Sequence, residues 1–261
     1  MKSSIKEWES ALKSCQMDEL PKLLKQLSED ERQGAKRLVE IHKKRINQYR
    51  EEQERLKKIS LFEKQCYQSG KKRVAGVDEV GRGPLAGPVV AAAVILPEGF
   101  TLEGINDSKK LSEKKRDTLY ESIISNAVSY SVCLIEPLQI DEINIYQASK
   151  LAMTEAICKL YIEPDQLLID AMEVPLPIDQ MKIIKGDEKS ISIAAASIVA
   201  KVTRDNYMKK LDEVYPHYGF KKNMGYGTKE HLEALRKFGA TDVHRKSFNP
   251  VGDFIQITGS E

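Results

Sequence analysis

The sequence predicts an α/β domain preceded by a small, all-helical extension. From Lys71 onward, short apolar runs rich in Val and Ile alternate with segments of helical periodicity, a pattern typical of strands separated by helices. Before Lys71, apolar residues recur at helical spacing instead. We therefore assign residues 1–70 to the extension and residues 71–261 to the α/β domain, which ends in a helical part.

Short segments of the α/β domain have the apolar, β-branched character of strands. The predicted strands are residues 73–77, 88–96, 130–135, 166–169 and 181–185. The predicted helices are residues 112–126, 141–161 and 190–214. Asp141 is expected to cap the second helix, and a run of small residues at 194–197 gives the third a face that permits close packing.

The extension divides into three predicted helices. Ile5, Trp8 and Leu12 lie on the apolar stripe of the first. The second carries leucines at helical spacing, with Pro21 suited to its first turn. The third, from residue 30 to about 58, is charge-rich and has a thin apolar stripe that buries little surface. We therefore expect the extension to be either mobile or docked on another surface.

Charge is distributed unevenly between the two parts. The chain carries 41 Lys and Arg against 39 Asp and Glu, a formal net charge of +2. Residues 1–70 hold 16 basic and 12 acidic side chains, a net of +4, which leaves 25 basic and 27 acidic side chains, a net of −2, for residues 71–261. The basic excess makes the extension a candidate for binding nucleic acid or a partner, while the α/β domain has carboxylates in excess.

Cysteine spacing and the length of the apolar runs exclude several classes of protein. Cys15, Cys66, Cys133 and Cys158 form no C-x-x-C pair, which argues against a zinc site or a disulfide framework. The longest apolar run is far shorter than the roughly 20 residues that a membrane span needs, and no secretory signal pattern is visible. We expect a cytoplasmic protein with reduced thiols and no membrane partner.

Acidic residues follow three of the predicted strands. Asp78 and Glu79 come directly after the first strand, Asp170 follows the fourth, and Asp187 lies just past the fifth. Because sites in α/β sheets gather at strand ends, these carboxylates are predicted to converge. Taken singly, each is also explained as a turn former or a helix cap, and for Asp187 the two interpretations have equal weight.

Four carboxylates in one site repel one another unless a cation is present. Mg²⁺ and Mn²⁺ prefer oxygen ligands, and two such ions about 3.5–4 Å apart can activate a water and stabilise the leaving oxygen of a phosphodiester. The sequence therefore predicts a site for divalent metal, either Mn²⁺ or Mg²⁺. Adjacent strand residues point to opposite faces, so Asp78 and Glu79 share this site only if the strand breaks there, which Gly81 and Gly83 permit.

Ordered motifs along the α/β domain give the chain a family resemblance. They are G-V-D-E-V-G-R-G-P-L-A-G-P at residues 76–88, D-S-K-K-L-S at 107–112, L-I-D-A at 168–171, K-G-D at 185–187 leading into S-I-A-A-A-S at 192–197, G-Y-G-T at 225–228 and H-R-K-S-F at 244–248. In this order, over roughly residues 71–251, the motifs resemble those of bacterial ribonuclease HII. The sister family, ribonuclease HIII, usually has Gly-Lys-Gly where this chain has Gly81-Arg82-Gly83, which favours the HII branch.

The resemblance implies a ribonuclease H-like fold, a mixed five-stranded sheet flanked by helices. It implies a phosphodiester hydrolase, an endoribonuclease that cuts the RNA strand of RNA–DNA hybrids. It also implies incision 5′ of ribonucleotides embedded in duplex DNA, as in ribonucleotide excision repair, with 3′-hydroxyl and 5′-phosphate ends. Catalysis would use two metal ions held by Asp78, Glu79, Asp170 and Asp187. Hybrids and ribonucleotide-containing duplexes are the expected partners of a monomeric enzyme.

The resemblance assigns a substrate-binding role to the loop after the first strand. Gly81 and Gly83 expose main chain and permit close approach to a ribose, whose 2′-hydroxyl marks RNA. Arg82, between them, can meet phosphate with its planar guanidinium. Without the neighbouring acids, the same three residues would also suit a simple tight turn.

Further substrate-binding roles fall to an aromatic side chain and a lysine pair. Tyr226 resembles the family's tyrosine that packs against the sugar after the ribonucleotide, although an aromatic in a glycine-rich turn is more often a packing residue. Lys109 and Lys110 can grip the nucleic-acid backbone, although a solvated lysine pair is the commoner explanation. No catalytic role is assigned to three histidines, His217, His231 and His244.

Two alternative functions fit parts of the sequence. Gly81-x-Gly83 after a strand resembles part of a dinucleotide-binding fingerprint, but that fingerprint needs a helix where Pro84, Pro88 and a Val-rich strand follow here. The second alternative is a non-catalytic nucleic-acid-binding module with the same fold. The presence of all four acids argues against it, because carboxylates that face phosphates are unfavourable unless they bind metal.

Overall fold

The computed structural model describes residues 4–255, and the chain divides into two compact units between Lys58 and Ile59. This division comes earlier than the predicted boundary at residue 70. The reason is the helix α4 (Leu61–Gln68), whose Cys66 packs in a cluster with residues of the sheet. A short helix at the end of the predicted extension therefore belongs structurally to the α/β unit.

The first unit contains the three helices that the apolar stripes predict. They are α1 (Ile5–Ser14), α2 (Leu20–Leu27) and α3 (Gln33–Ile59). Ser4 begins α1 with a capping box, in which its hydroxyl accepts from the Glu7 amide and the Glu7 carboxylate accepts from the Ser4 amide. Pro21 lies in the first turn of α2, as expected. Leucines of all three helices form the core of this unit, with Trp8 packed against it.

The second unit is built on the predicted mixed five-stranded sheet. Its strands are β1 (Val74–Val80), β2 (Val89–Ile95), β3 (Ser129–Ile135), β4 (Gln166–Asp170) and β5 (Gln180–Ile183). Their order across the sheet is β3-β2-β1-β4-β5. β2 is antiparallel to β1 and β3, whereas β4 is parallel to β1 and β5 is parallel to β4. β1 therefore lies at the centre, with the two parallel strands on one side of it.

The helices of this unit that follow β2 are α5 (Glu113–Asn126), α6 (Pro137–Cys158), α7 (Gly186–Lys189), α8 (Ile191–Val214), α9 (Phe220–Asn223) and α10 (Lys229–Phe238). Of these, α6 and α8 pack on opposite faces of the sheet. α8 begins at the Ser190 cap and packs closely on β1 through its small-residue face, as predicted. A Cβ atom on Gly76 would lie 2.0 Å from the carbonyl carbon of Ser192, so this approach requires a glycine. Within residues 4–255, no helix has the length and apolarity to cross a membrane.

The predicted start of the second helix of the α/β domain is wrong. α6 begins at Pro137, with Glu136 as its N-cap, and is interrupted at Asn144, where φ is +67°, so Asp141 lies inside its first segment rather than at a helix start. Proline is favoured in a first helical turn, which explains the earlier start. The Asp141 carboxylate accepts hydrogen bonds from the amides of Lys246 and Ser247 at 2.8 and 2.9 Å. This side chain therefore anchors the C-terminal segment rather than capping a helix.

Two deletions that differ only in α4 test its place in the second unit. A protein of residues 59–261 keeps α4, whereas a protein of residues 69–261 loses it and uncovers the apolar surface beneath. Each large apolar side chain that leaves a core costs roughly 1.5–3 kcal/mol, so we expect the shorter protein to unfold at a clearly lower temperature. Thermal unfolding followed by circular dichroism measures the difference. Equal midpoints would contradict the assignment of α4 to the α/β unit.

Candidate active site

The parallel register of β1 and β4 brings two of the predicted acids together. Val77 pairs with Ile169, so the next residues, Asp78 and Asp170, occupy neighbouring positions on the same face of the sheet. Asp78 is buried, and the side chain of Ser197 on α8 opposes the rise in the pKa of its carboxyl group that burial causes. Asp78 and Asp170 thus lie on the face that α8 covers.

Glu79 reaches this region from the other face of β1. The predicted break in the strand does not fall at the acids, because β1 stays paired with β2 as far as Val80 and turns only at Gly81, where φ is +89°. The Glu79 Oε1 atom lies 3.4 Å from Nη1 of Arg82. Its Oε2 atom is buried and has no hydrogen-bond partner among residues 4–255.

A glycine turn joins Asp187 to Asp170. The amide of Gly186 donates to Oδ1 of Asp170 at 2.7 Å, and Asp187 follows in the first turn of α7. A Cβ atom on Gly186 would lie 2.5 Å from Cδ1 of Ile193 and 3.3 Å from Oδ1 of Asp170. The absence of a side chain at this position therefore allows the chain to pass close to the Asp170 carboxylate.

Burial and neighbouring charges raise the pKa values of three of the four carboxyl groups. Burial, followed by the charges of Glu79, Asp170 and Asp187, raises the pKa of Asp78 well above its ordinary value. Burial raises the pKa of Glu79, and the charge of Asp170 adds to the effect although Arg82 opposes it. Burial and the charges of nearby acids, among them Asp170, raise the pKa of Asp187 to about 6. The acids therefore share one electrostatic environment, in which a cation would relieve their repulsion.

The carboxylate oxygens are the type of ligand that a hard divalent cation prefers, although the side chains are not arranged around a single point. Within the described part of the chain, no three acidic, histidine or cysteine side chains are grouped closely enough to form a set of metal ligands. Their oxygens turn instead to protein donors, as Asp170 does to Gly186 and Asp78 does to the amide of Glu79 at 2.8 Å. All the donors are nevertheless oxygens, which Mg²⁺ and Mn²⁺ prefer, and Glu79 Oε2 is left without a partner within residues 4–255.

The loop after β1 is held from beneath by Arg245. Its guanidinium donates to the carbonyl oxygens of Gly81 at 2.6 Å, Arg82 at 2.9 Å and Gly87 at 2.9 Å. In a trans peptide the carbonyl and the following amide point in opposite directions, so the amides of Arg82 and Gly83 are turned away from Arg245. The loop therefore presents its N–H groups on its outer side, where the side chain of Arg82 is also exposed.

Sequence reasoning missed two buried arginines that shape the site. Arg204 and Arg245 are 1% and 0% exposed. Arg204 donates to the carbonyl oxygens of Pro88, Met224 and Ala86 at 3.0, 2.9 and 3.2 Å. Burial lowers the pKa of Arg204 to about 10 and that of Arg245 to about 9, so both remain cations at neutral pH. Arg245 lies in the H-R-K-S-F motif at residues 244–248, so the sequence marks its position. No motif marks Arg204.

The remaining predicted substrate-binding residues, Lys109, Lys110 and Tyr226, have three different environments. Burial alone would lower the pKa of Lys109, but the charges of Asp78 and other acids raise it overall, so this ammonium belongs to the acid cluster. Lys110 instead forms an ion pair with Glu188. The ring of Tyr226 lies next to Gly83, since a Cβ atom built there would be 3.7 Å from Cε1 of the ring.

Comparison with known proteins connects this geometry to a family. Residues 75–251 match the family model described as ribonuclease HII. The chain belongs to the ribonuclease HII family. Residues 4–67 match a separate model, the ribonuclease HII N-terminal domain, so the helical segment that precedes the sheet also has counterparts in this family. The protein is therefore a ribonuclease H, a hydrolase of phosphodiester bonds.

Relatives and solved structures extend this likeness to most of the chain. The ribonuclease HII of Bacillus cereus strain G9842 is 52% identical over 255 residues, which are 98% of this chain and 99% of that protein. Ribonuclease H2 from Pyrococcus horikoshii OT3 has a TM-score of 0.61 at 27% identity and covers 70% of this chain and 96% of its own. The RNase HII of Archaeoglobus fulgidus, solved in complex with PCNA, has a TM-score of 0.57 at 27% identity, with coverages of 67% and 95%.

Repulsion within the acid cluster predicts that removal of one of its charges stabilises the metal-free protein. Asp78→Asn removes one buried charge and keeps the side-chain shape, so we expect it to raise the unfolding midpoint in EDTA at pH 7 by a few degrees, equivalent to about 1–2 kcal/mol. Asp242→Asn, the same change at an exposed carboxylate, is the control and should leave the midpoint unchanged. Differential scanning calorimetry measures both. A lower midpoint for Asp78→Asn than for the parent protein would contradict this account of the cluster.

Proposed function

We propose that this ribonuclease hydrolyses the RNA strand of RNA–DNA hybrids and incises duplex DNA on the 5′ side of embedded ribonucleotides. It would leave 3′-hydroxyl and 5′-phosphate ends. The observation that carries the proposal is the position of the acid cluster, which lies directly beside a loop of exposed main chain and an aromatic ring. A group that binds metal and a surface that suits a ribose are therefore adjacent in one unit.

The acid cluster is proposed to hold two divalent ions, Mn²⁺ or Mg²⁺. Asp78, Glu79, Asp170 and Asp187 are the proposed ligands and hence the catalytic residues. When bound, such ions supply an activated water and stabilise the leaving oxygen. The residues of the chain supply the orientation: the amide of Glu79 restrains Asp78, and the amide of Gly186 restrains Asp170. Lys109 adds a positive charge at the rim of the cluster, where it can meet a phosphate of the cut strand.

The loop after β1 and Tyr226 are proposed to select the ribonucleotide. The outward amides of Arg82 and Gly83 can donate hydrogen bonds to an oxygen of the ribose or its phosphate, and the guanidinium of Arg82 is exposed beside them. Tyr226 is 47% exposed, so its ring can pack on the next sugar. Lys110 is a weaker candidate for phosphate binding than Lys109, because it is already paired with Glu188.

The proposal extends to the rest of the molecule. The predicted extension, residues 1–70 with their net charge of +4, would add contacts to the phosphates of the duplex, outside the catalytic domain at residues 71–261. The enzyme is proposed to act as a monomer. The four cysteines are free, in keeping with the proposed location in the cytoplasm.

A duplex that contains one ribonucleotide tests the proposed function. We expect the protein with Mn²⁺ or Mg²⁺ to cut it once, on the 5′ side of the ribonucleotide, and to leave an all-DNA duplex intact. Asp78→Asn and Asp170→Asn should reduce the rate by about 10³-fold or more, because each removes a metal ligand, while Asp242→Asn should cut at the parent rate. Denaturing gels of end-labelled strands locate the cut and give the rates. Cleavage of all-DNA duplexes, or normal turnover by either ligand variant, would contradict the proposal.

A further inference from the structure

Two buried histidines connect the turn that carries Tyr226 with the segment that carries Arg245. His231 on α10 and His244 are 0% and 1% exposed, and their Nε2 atoms lie 3.1 Å apart. Nδ1 of His231 lies 2.9 Å from the carbonyl oxygen of Tyr226. At the other end, Nδ1 of His244 lies 3.0 Å from the amide nitrogen and 2.8 Å from the hydroxyl of Thr241. These contacts form a continuous chain across the C-terminal core.

The direction of every hydrogen bond in this chain is fixed by its first donor. The amide of Thr241 can only donate, so Nδ1 of His244 accepts and the neutral ring carries its proton on Nε2. That proton can only be donated to Nε2 of His231, whose own proton must then be on Nδ1 and point at the carbonyl of Tyr226. Burial lowers the pKa of His231, and burial together with His231 lowers that of His244 to about 4, which keeps both rings neutral. The chain therefore runs from Thr241 to Tyr226 in one direction.

The last bond of this chain fixes the main chain of the residue that faces the loop after β1. The Tyr226 carbonyl accepts from both His231 and the amide of Thr228, which lies 2.8 Å away. The amide of Tyr226 donates to the carbonyl of Asn223 at 2.9 Å, so the peptide groups on both sides of the ring are restrained. Since the ring lies next to Gly83, a small rotation of this peptide would alter the space between ring and loop.

We propose that His231 and His244 are positioning residues that set the ring of Tyr226 for the sugar after the ribonucleotide. The inference rests on the proposed function, because it needs Tyr226 to contact substrate. Neither histidine touches substrate, since both are fully buried. If they served only as packing residues, side-chain volume would decide the effect of a substitution. If they position Tyr226, the effect of a substitution depends on whether the new side chain still places an N–H donor where the histidine had one.

Glutamine and asparagine at both positions distinguish these two roles. The side-chain amide of asparagine reaches the place of Nδ1 of histidine, and that of glutamine reaches the place of Nε2. At position 244, His244→Gln keeps the donor to His231 and His244→Asn loses it. At position 231, His231→Asn keeps the donor to Tyr226 and His231→Gln loses it. Positioning therefore predicts opposite preferences at the two sites, whereas packing predicts the same preference at both.

The measurement is kcat and KM for two substrates, a duplex with one ribonucleotide and a continuous RNA–DNA hybrid. We expect His244→Asn and His231→Gln to lower the ratio of kcat/KM for the first substrate to that for the second by roughly tenfold, about the value of one hydrogen bond. His244→Gln and His231→Asn should stay within about threefold of the parent ratio. Tyr226→Ala is the reference and should lower the same ratio at least as far.

Several outcomes would overturn the inference. The first is that the same residue, glutamine or asparagine, preserves the ratio of kcat/KM better at both positions. The second is that all four variants keep the parent ratio. An altered ratio in the histidine variants with an unchanged ratio in Tyr226→Ala would also overturn it, because the histidines would then act through another residue. Failure of the proposed function is distinct, since the parent protein would then not cut the single-ribonucleotide duplex. Should one variant fail to fold, the pair at the other position still decides between donor placement and volume.

Discussion

The parallel pairing of β1 with β4 determines where negative charge accumulates in this ribonuclease. Pairing of Val77 with Ile169 puts Asp78 and Asp170 side by side, and the glycine turn after β5 returns Asp187 to the same place. The main-chain register thus holds the carboxylates near one another, where burial and neighbouring acidic charges raise the pKa values of Asp78, Glu79 and Asp187. A fold that keeps such a cluster is less stable without a cation than it would be with neutral residues, which is the expected compromise at a metal-dependent site.

One helix connects the acidic and the cationic halves of the site. α8 begins where Gly76 lets its main chain touch β1, and it places Ser197 near Asp78. Between three and four turns from its start it contributes Arg204, which donates to carbonyl oxygens of the loop between β1 and β2. Arg245 completes the support from the C-terminal segment. Because both guanidiniums bind main-chain carbonyls, they fix peptide orientation and place positive charge behind a surface that is proposed to meet phosphate. α8 therefore contacts both the proposed metal site and the loop that is proposed to bind substrate.

The three central strands, β1, β2 and β4, were predictable from the sequence because they are largely apolar on both faces. The segment of β2, Val89–Ile95, differs from its prediction by one residue at each end. Asp141 was misassigned because a capping residue and a side chain that anchors a distant segment look alike in sequence, and only tertiary structure separates them. The place of α4 was hidden for a similar reason, since its few apolar residues are matched by a surface of the sheet that lies far along the chain.

The candidate site was predictable in its acids but not in its supports. The four carboxylates stand at strand ends in the sequence, which predicted that they converge, whereas the register that sets Asp78 beside Asp170 is visible only in the structure. Arg204, His231 and His244 act on main-chain atoms of residues that are distant in sequence, so neither spacing nor residue type indicated their contacts. Sequence patterns reveal side chains that recur at regular spacing or cluster along the chain. These hydrogen bonds depend instead on the conformation of loops, which no local pattern predicts.

The central claim is that these carboxylates together hold the divalent metal. Anomalous X-ray scattering from crystals soaked in MnCl₂ tests it most directly, because the signal locates manganese without reference to activity. The account predicts anomalous peaks within about 2.0–2.6 Å of carboxylate oxygens of Asp78, Glu79, Asp170 and Asp187. Saturated crystals with no peak among these four residues, or with peaks confined to other surfaces, would contradict it.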